Sequence, residues 1–116
     1  MPDVTIYHNP RCSKSREGLQ ILKDAGLEPV IVKYLETPPT VEELENIIDK
    51  LEMHPYELIR KNEKEFKKLN LREKKEDRNA LIQAMSEHPR LIQRPIVVKG
   101  DKAILGRPPE NINEIF

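Results

Sequence analysis

The chain has one cysteine in 116 residues, no surplus of either charge and no long apolar run. Each absence excludes something. A lone Cys12 closes no disulfide within the chain and builds no cysteine-based zinc cluster. Twenty Lys plus Arg balance twenty Asp plus Glu, so overall charge holds the chain on neither nucleic acid nor an anionic membrane. No apolar stretch approaches the roughly 20 residues that span a bilayer. The opening MPDVTIYHNP also lacks a signal-peptide layout, so a cytoplasmic setting without nucleic-acid or membrane partners is expected. Three scattered histidines without His-x-x-x-His spacing give no reason to expect a metal site, and His54 and His88, each before a proline, suit capping or exposure.

What is present is ordered. Val4 to Tyr7 is β-prone, Pro10 breaks the run, and a helical pattern starts at Ser13, carries Leu19, Ile21 and Leu22 on one side and stops at Gly26. Pro29 to Tyr34, with Val30, Ile31 and Val32 in succession, reads as a buried strand, completing a β-α-β unit with a parallel pair. Thr40 and Glu43 form a capping box before the apolar stripe Leu44, Ile47, Ile48 and Leu51. Pro55 suits the first position of a short helix through Ile59. Lys61 to Arg78 has eight basic and five acidic residues, with Phe66, Leu69 and Leu71 as anchors, and reads as a solvated helical face or loop. Asn79 to His88 is helical. Ile96–Val98 and Ala103–Leu105 flank Gly100-Asp101, a pair suited to a type II′ hairpin, and a last short helix presents Ile112, Ile115 and Phe116. The order predicts an α/β, thioredoxin-like fold: β-α-β, then a β-hairpin and terminal helix. A single domain, 1–116, is expected, with a helical insertion over about 40–90.

Cys12 falls where loop becomes helix, beside unpaired amides and the positive end of the helix dipole. Arg11, Lys14, Arg16 and His8 lie close in sequence, and all of these features favour the nucleophilic thiolate. Free cysteine also packs as a small hydrophobe, but Arg, Ser and Lys in a proline-broken loop are poor core material, so the reactive reading is preferred. Ser15 stands where a dithiol motif carries its second cysteine, so any redox cycle needs an outside thiol. Arg60, Arg94 and Arg107 each sit beside apolar, glycine or proline positions. Guanidinium forks suit tetrahedral oxyanions; any one of them alone reads better as a surface ion-pair partner, but three so placed favour the oxyanion. In a thioredoxin-like fold Arg94 approaches Cys12, and the Arg94-Pro95 bond is a candidate for cis.

Tyr7-His8-Asn9-Pro10-Arg11-Cys12-Ser13-Lys14-Ser15-Arg16 resembles the signature of the glutaredoxin-linked arsenate reductase family (ArsC type). So do Tyr34-Leu35-Glu36-Thr37-Pro38-Pro39, Arg94-Pro95-Ile96-Val97-Val98 and Gly106-Arg107-Pro108. The resemblance implies that Cys12 attacks arsenate and that His8 helps keep Cys12 ionised. It also implies that Arg60, Arg94 and Arg107 bind the oxyanion, with no bound cofactor, glutathione as co-substrate and glutaredoxin as the partner that regenerates Cys12. Ser13-Lys14, where the family often has Gly-Thr, and a stop at Phe116, where it often has a tail, suggest a housekeeping branch. Two other functions are compatible with the scaffold: a glutathione-dependent thiol oxidoreductase without arsenate activity, and a regulator resembling the Spx-type proteins that bind RNA polymerase. The latter commonly carry Cys-x-x-Cys, which Ser15 removes here.

Overall fold

The computed structural model describes residues 4–115, so the expectation for Phe116 lies outside the described residues. The chain divides into two compact units, one running to Thr37 and resuming at Arg94, the other Pro38–Gln93.

The first unit is built on a four-stranded sheet in the order β2-β1-β3-β4, where β1 is Val4–Tyr7, β2 Val30–Val32, β3 Ile96–Lys99 and β4 Lys102–Leu105. β1 pairs parallel with β2 (Ile6 opposite Ile31) and antiparallel with β3 (Ile6 opposite Val97). Alternation along β1 buries Val4 and Ile6, which join Leu22, Val97, Ile112 and Ile115 in one core. α1 (Ser13–Asp24) supplies Leu22 in full and Leu19 and Ile21 in part. It ends as expected at Gly26, whose φ of 82° allows the Leu27 and Gly26 N–H groups to donate to the Leu22 and Lys23 carbonyls.

The β3–β4 turn has Gly100 at φ 59°, with Asp101 outside the left-handed region, as a type II′ turn requires. The closing helix, Pro109–Ile115, is 3-10. It packs closely because Gly18 and Gly106 have no side chain: a Cβ on Gly18 would lie 2.7 Å from Ile112 Cδ1 and 2.9 Å from Pro95 Cγ. The expected buried strand at 29–34 needs correction. β2 is shorter and lies at the edge of the sheet, leaving Val30 and Ile31 60% and 42% exposed. An unbroken apolar run implies burial on both faces only when the strand is central.

The second unit holds α2 (Val41–Leu51), α3 (Pro55–Leu58), α4 (Lys64–Lys68) and α5 (Arg78–Glu87). The Thr40–Glu43 capping box is reciprocal, and Leu44, Ile47 and Ile48 are buried. His54 is a cap: its Nδ1 accepts from the Tyr56 N–H. Phe66 and Leu71 anchor the charged stretch, and α5 buries Leu81, Ile82, Ala84 and Met85. An antiparallel bridge between Ile59 and Ile92 closes the unit, flanked by Gln93 N–H to Leu58 O and Arg60 N–H to Leu91 O.

Candidate active site around Cys12

The loop from His8 to Cys12 is shaped by its own polar groups. The His8 N–H donates to the Val32 carbonyl at 2.8 Å, so the loop begins as a continuation of the β1–β2 pairing. Cys12 N–H then donates to the Asn9 carbonyl at 3.0 Å, and Asn9 Oδ1 accepts from the Arg11 N–H. This turn places Cys12 at the N-cap of α1 with extended backbone (φ −95°, ψ 123°). Its side chain closes no capping hydrogen bond, but it stands among the free amides of the first turn.

Burial pushes the Cys12 thiol up, yet its pKa lies below the ordinary thiol value. Three opposing influences outweigh the burial: the Ser15 amide, the Arg94 guanidinium acting through hydrogen bonding and charge, and the Lys14 amide. Cys12 is half-buried, accessible enough to meet a reactant. The side chains of Arg11, Lys14 and Arg16 suggested themselves from sequence proximity, but the guanidinium that favours the thiolate comes from Arg94. Arg16 donates to the Pro10 carbonyl at 2.9 Å and so secures the loop.

Arg94 precedes Pro95 through a cis peptide bond, as does Arg107 before Pro108; the second of these had no sequence signal. Arg107 Nη1 donates to the Arg94 carbonyl at 3.0 Å, and the Gly106 N–H donates to the Pro95 carbonyl, so β4 and the start of β3 hold the two arginines together. The Arg94 Nε is buried and has no hydrogen-bond partner among the described residues.

His8 is buried, and its Nδ1 lies 2.7 Å from Ser15 Oγ. Burial, followed by the charges of Lys33, Arg16 and Lys23, lowers its pKa below the usual 6.5 against an opposing hydrogen bond with Ser15, so the ring is neutral at pH 7. Its link to the thiol runs through Ser15. That hydroxyl also accepts from the Asn9 N–H at 3.0 Å, and the Ser15 backbone amide acts on Cys12. Sequence reasoning saw Ser15 only as a missing cysteine. The usable signal was its position three residues past an N-cap, where the backbone N–H faces the cap side chain.

The first unit therefore brings Cys12, Arg94 and Arg107 together and ties His8 to them through Ser15. Arg60 belongs to the second unit. There its Nη1 lies 3.2 Å from Glu63 Oε2, and Arg90 approaches the other carboxylate oxygen at 3.7 Å. Among the described residues no group of three His, Cys, Asp or Glu could hold a metal ion, and no helix is long and apolar enough to cross a membrane.

A parallel β-α-β unit joined to an antiparallel hairpin, with a cysteine at the first helix whose ionised form is favoured, defines a thioredoxin-like thiol protein. Residues 7–115 match the ArsC family model, and the chain belongs to the ArsC family. It is 51% identical to the uncharacterized protein YfgD of Escherichia coli strain K12, over 97% of this chain and 95% of that one. Identity to an arsenate reductase of Haemophilus influenzae is 46%, covering 97% and 98%. Among solved structures, an arsenate reductase from Vibrio cholerae superposes with a TM-score of 0.95 at 47% identity, covering 99% and 98%.

Proposed function

We propose that the protein reduces arsenate to arsenite with Cys12 as the nucleophile, using glutathione and glutaredoxin to complete the cycle. The observation that carries this is the Cys12 thiolate favoured beside the Arg94 guanidinium, with Arg107 fastened to the Arg94 carbonyl. Full-length relatives named arsenate reductases support the choice of oxyanion. A thiol whose ionised form is favoured, next to a forked donor with an unspent N–H, suits attack on a tetrahedral oxyanion.

The Cys12 sulfur attacks arsenic(V), and one arsenate oxygen leaves as water, giving a Cys12–S–As adduct. A glutathione thiolate then attacks the Cys12 sulfur. The S–As bond breaks with its electron pair on arsenic, which departs as arsenite, and Cys12 is left in a mixed disulfide with glutathione. Glutaredoxin attacks the glutathione sulfur and frees the Cys12 thiolate. Two thiols thus supply the two electrons, which a protein with one cysteine cannot supply alone. Arg94 and Arg107 are the proposed oxyanion ligands. Arg60 enters as a third on the family resemblance, exchanging its Glu63 partner for the substrate. His8 and Ser15 are positioning residues for Cys12. A reaction that consumes reduced glutathione fits the cytoplasm, where thiols are kept reduced.

The test is arsenate-dependent NADPH oxidation with glutathione, glutaredoxin and glutathione reductase. Turnover is expected for the wild type, none for Cys12→Ser, and a loss of at least about tenfold in kcat/KM for Arg94→Ala. Turnover by Cys12→Ser would end the proposal. Wild-type protein that is inactive on arsenate but deglutathionylates peptides would replace it with the thiol-oxidoreductase reading.

A further inference from the structure

The large apolar side chains left exposed among the described residues are Val30, Ile31 and Leu35, on or just after β2 at the open edge of the sheet. An edge strand also presents unpaired backbone donors and acceptors, and their order decides what can pair with it. The pairing of β2 with β1 fixes that order. Tyr7 lies opposite Val32, and the Val32 carbonyl accepts from the His8 N–H at 2.8 Å, so Val32 turns its backbone groups towards β1. Alternation along the strand turns Val30 the same way and Ile31 the other. Within each planar trans peptide the carbonyl and the N–H point in opposite directions.

The outward groups are therefore the Pro29 carbonyl, the Ile31 N–H, the Ile31 carbonyl and the Lys33 N–H. Two groups that would extend the row are removed from it. Pro29 has no N–H, and the Lys33 carbonyl already accepts from the Glu36 and Thr37 N–H groups at 2.9 and 3.0 Å. What remains runs acceptor, donor, acceptor, donor, a sequence that is its own complement when reversed.

We propose that β2 pairs antiparallel with β2 of a second copy of this chain, about a two-fold axis at Ile31. In that register the two Ile31 residues exchange both of their bonds, and each Lys33 N–H donates to the Pro29 carbonyl of the other copy. No outward group is left over. Centring the pair on Val30 would set the Ile31 carbonyl against Pro29, which has no N–H to give. Centring it on Val32 would set the Ile31 N–H against the Lys33 carbonyl, which is already engaged. Proline and lysine beside a short edge strand commonly discourage pairing. Here they block the neighbouring registers and leave this one open. Ile31 then covers Ile31 of the other copy on one face, and Val30 lies opposite Val32 on the other, so the exposed apolar side chains of the strand are buried. A strand of three residues buries less than the roughly 1,200–2,000 Å2 of a standard interface, so the dimer is weak and reversible. Antiparallel pairing sends the two Cys12 loops, each following its own β1, to opposite ends of the joined sheet, and the inference is independent of the reaction assigned to Cys12.

Sedimentation velocity of the wild type from about 10 µM to about 1 mM should show a mass rising towards that of a dimer. Over the same range, hydrogen exchange should slow at the Ile31 and Lys33 amides and stay constant at Val30 and Val32, whose amides are bonded within the chain. Ile31→Pro, which removes only an outward N–H and suits an edge strand, should stay monomeric. Ile31→Lys and Ile31→Glu should each weaken self-association about tenfold, because the two-fold axis sets like charges directly opposite. An equal mixture of the two should associate again, which neither a misfolded variant nor a different register would produce. Circular dichroism and Cys12 alkylation at the wild-type rate check that the variants fold. A wild type that stays monomeric throughout, a dimer that survives Ile31→Pro, or a Lys and Glu mixture that does not associate would overturn the proposal. So would protection of the Ile31 and Lys33 amides only after reduced glutaredoxin is added, since the edge would then receive a different protein.

Discussion

Removing the Arg94 guanidinium should change when Cys12 ionises, not whether it can be reached. In the folded protein Arg94 acts on the sulfur both as a hydrogen-bond donor and as a charge, while burial pushes the thiol the other way. A hydrogen bond to a charged group contributes about 1.5–3 kcal/mol. Cys12 is only half-buried, so solvent screening puts the loss on Arg94→Ala at the low end, about 1.5 kcal/mol. Because 1.36 kcal/mol corresponds to a tenfold change in a protonation equilibrium, the thiolate fraction on the acid side of the titration falls about tenfold.

Iodoacetamide alkylation measured across pH, with circular dichroism as a control on folding, reads this directly. Arg94→Ala should alkylate about tenfold more slowly than wild type at low pH, and the two curves should converge at high pH, where both thiols are ionised. Arg107 donates to the Arg94 carbonyl and is not among the groups that act on the Cys12 thiol, so Arg107→Ala should displace the curve less. Superimposable curves for Arg94→Ala and wild type would mean that the Ser15 and Lys14 amides alone hold the thiolate. A uniform slowing at every pH would mean that Arg94 controls access, and the electrostatic argument would be wrong.

Two further outcomes follow from the packing around the same loop. His8 resists protonation when folded but takes a proton near its ordinary pKa of 6.5 when unfolded, so its contribution to stability is complete above that value and is lost as pH falls below it, levelling off once the folded ring is also protonated. Urea midpoints compared at about pH 7.5 and about pH 5.5 should therefore separate more in the wild type than in His8→Gln; equal separation would remove His8 as the source. Gly18→Ala gains about 1 kcal/mol of helix propensity but forces a methyl against Ile112 Cδ1 and the Pro95 ring, at a cost of about 1–3 kcal/mol, for an expected net loss of about 1 kcal/mol. Thermal melts should show that loss partly recovered by adding Ile112→Val, and a Gly18→Ala protein that melts higher than wild type would refute the close packing.

Much of this protein was decided locally and so could be read from the sequence. The Gly26 stop, the Thr40–Glu43 capping box, the Gly100-Asp101 turn and the position of Cys12 at a helix start depend on residues within a few positions of one another. The solitude of Cys12 is a property of composition alone, and it already required an external thiol. The charge environment of that cysteine was legible only through the expected fold, which put Arg94 near Cys12, and not from the residues beside it in the chain. The arginine that acts on it lies far along the chain and is brought there by the pairing of β1 with β3, whereas the nearby Arg16 is held to the Pro10 carbonyl. The exposure of β2 followed from strand order, which a run of three apolar residues cannot encode. Ser15 gained its role because one hydroxyl meets two groups from the preceding loop, His8 and Asn9, while its own amide faces the sulfur. Short-range hydrogen bonding and backbone preference wrote the elements and the place of the thiol. Electrostatics and burial act through space, so the tertiary structure decided which of the nearby and distant cations acts on that thiol and how far burial opposes it.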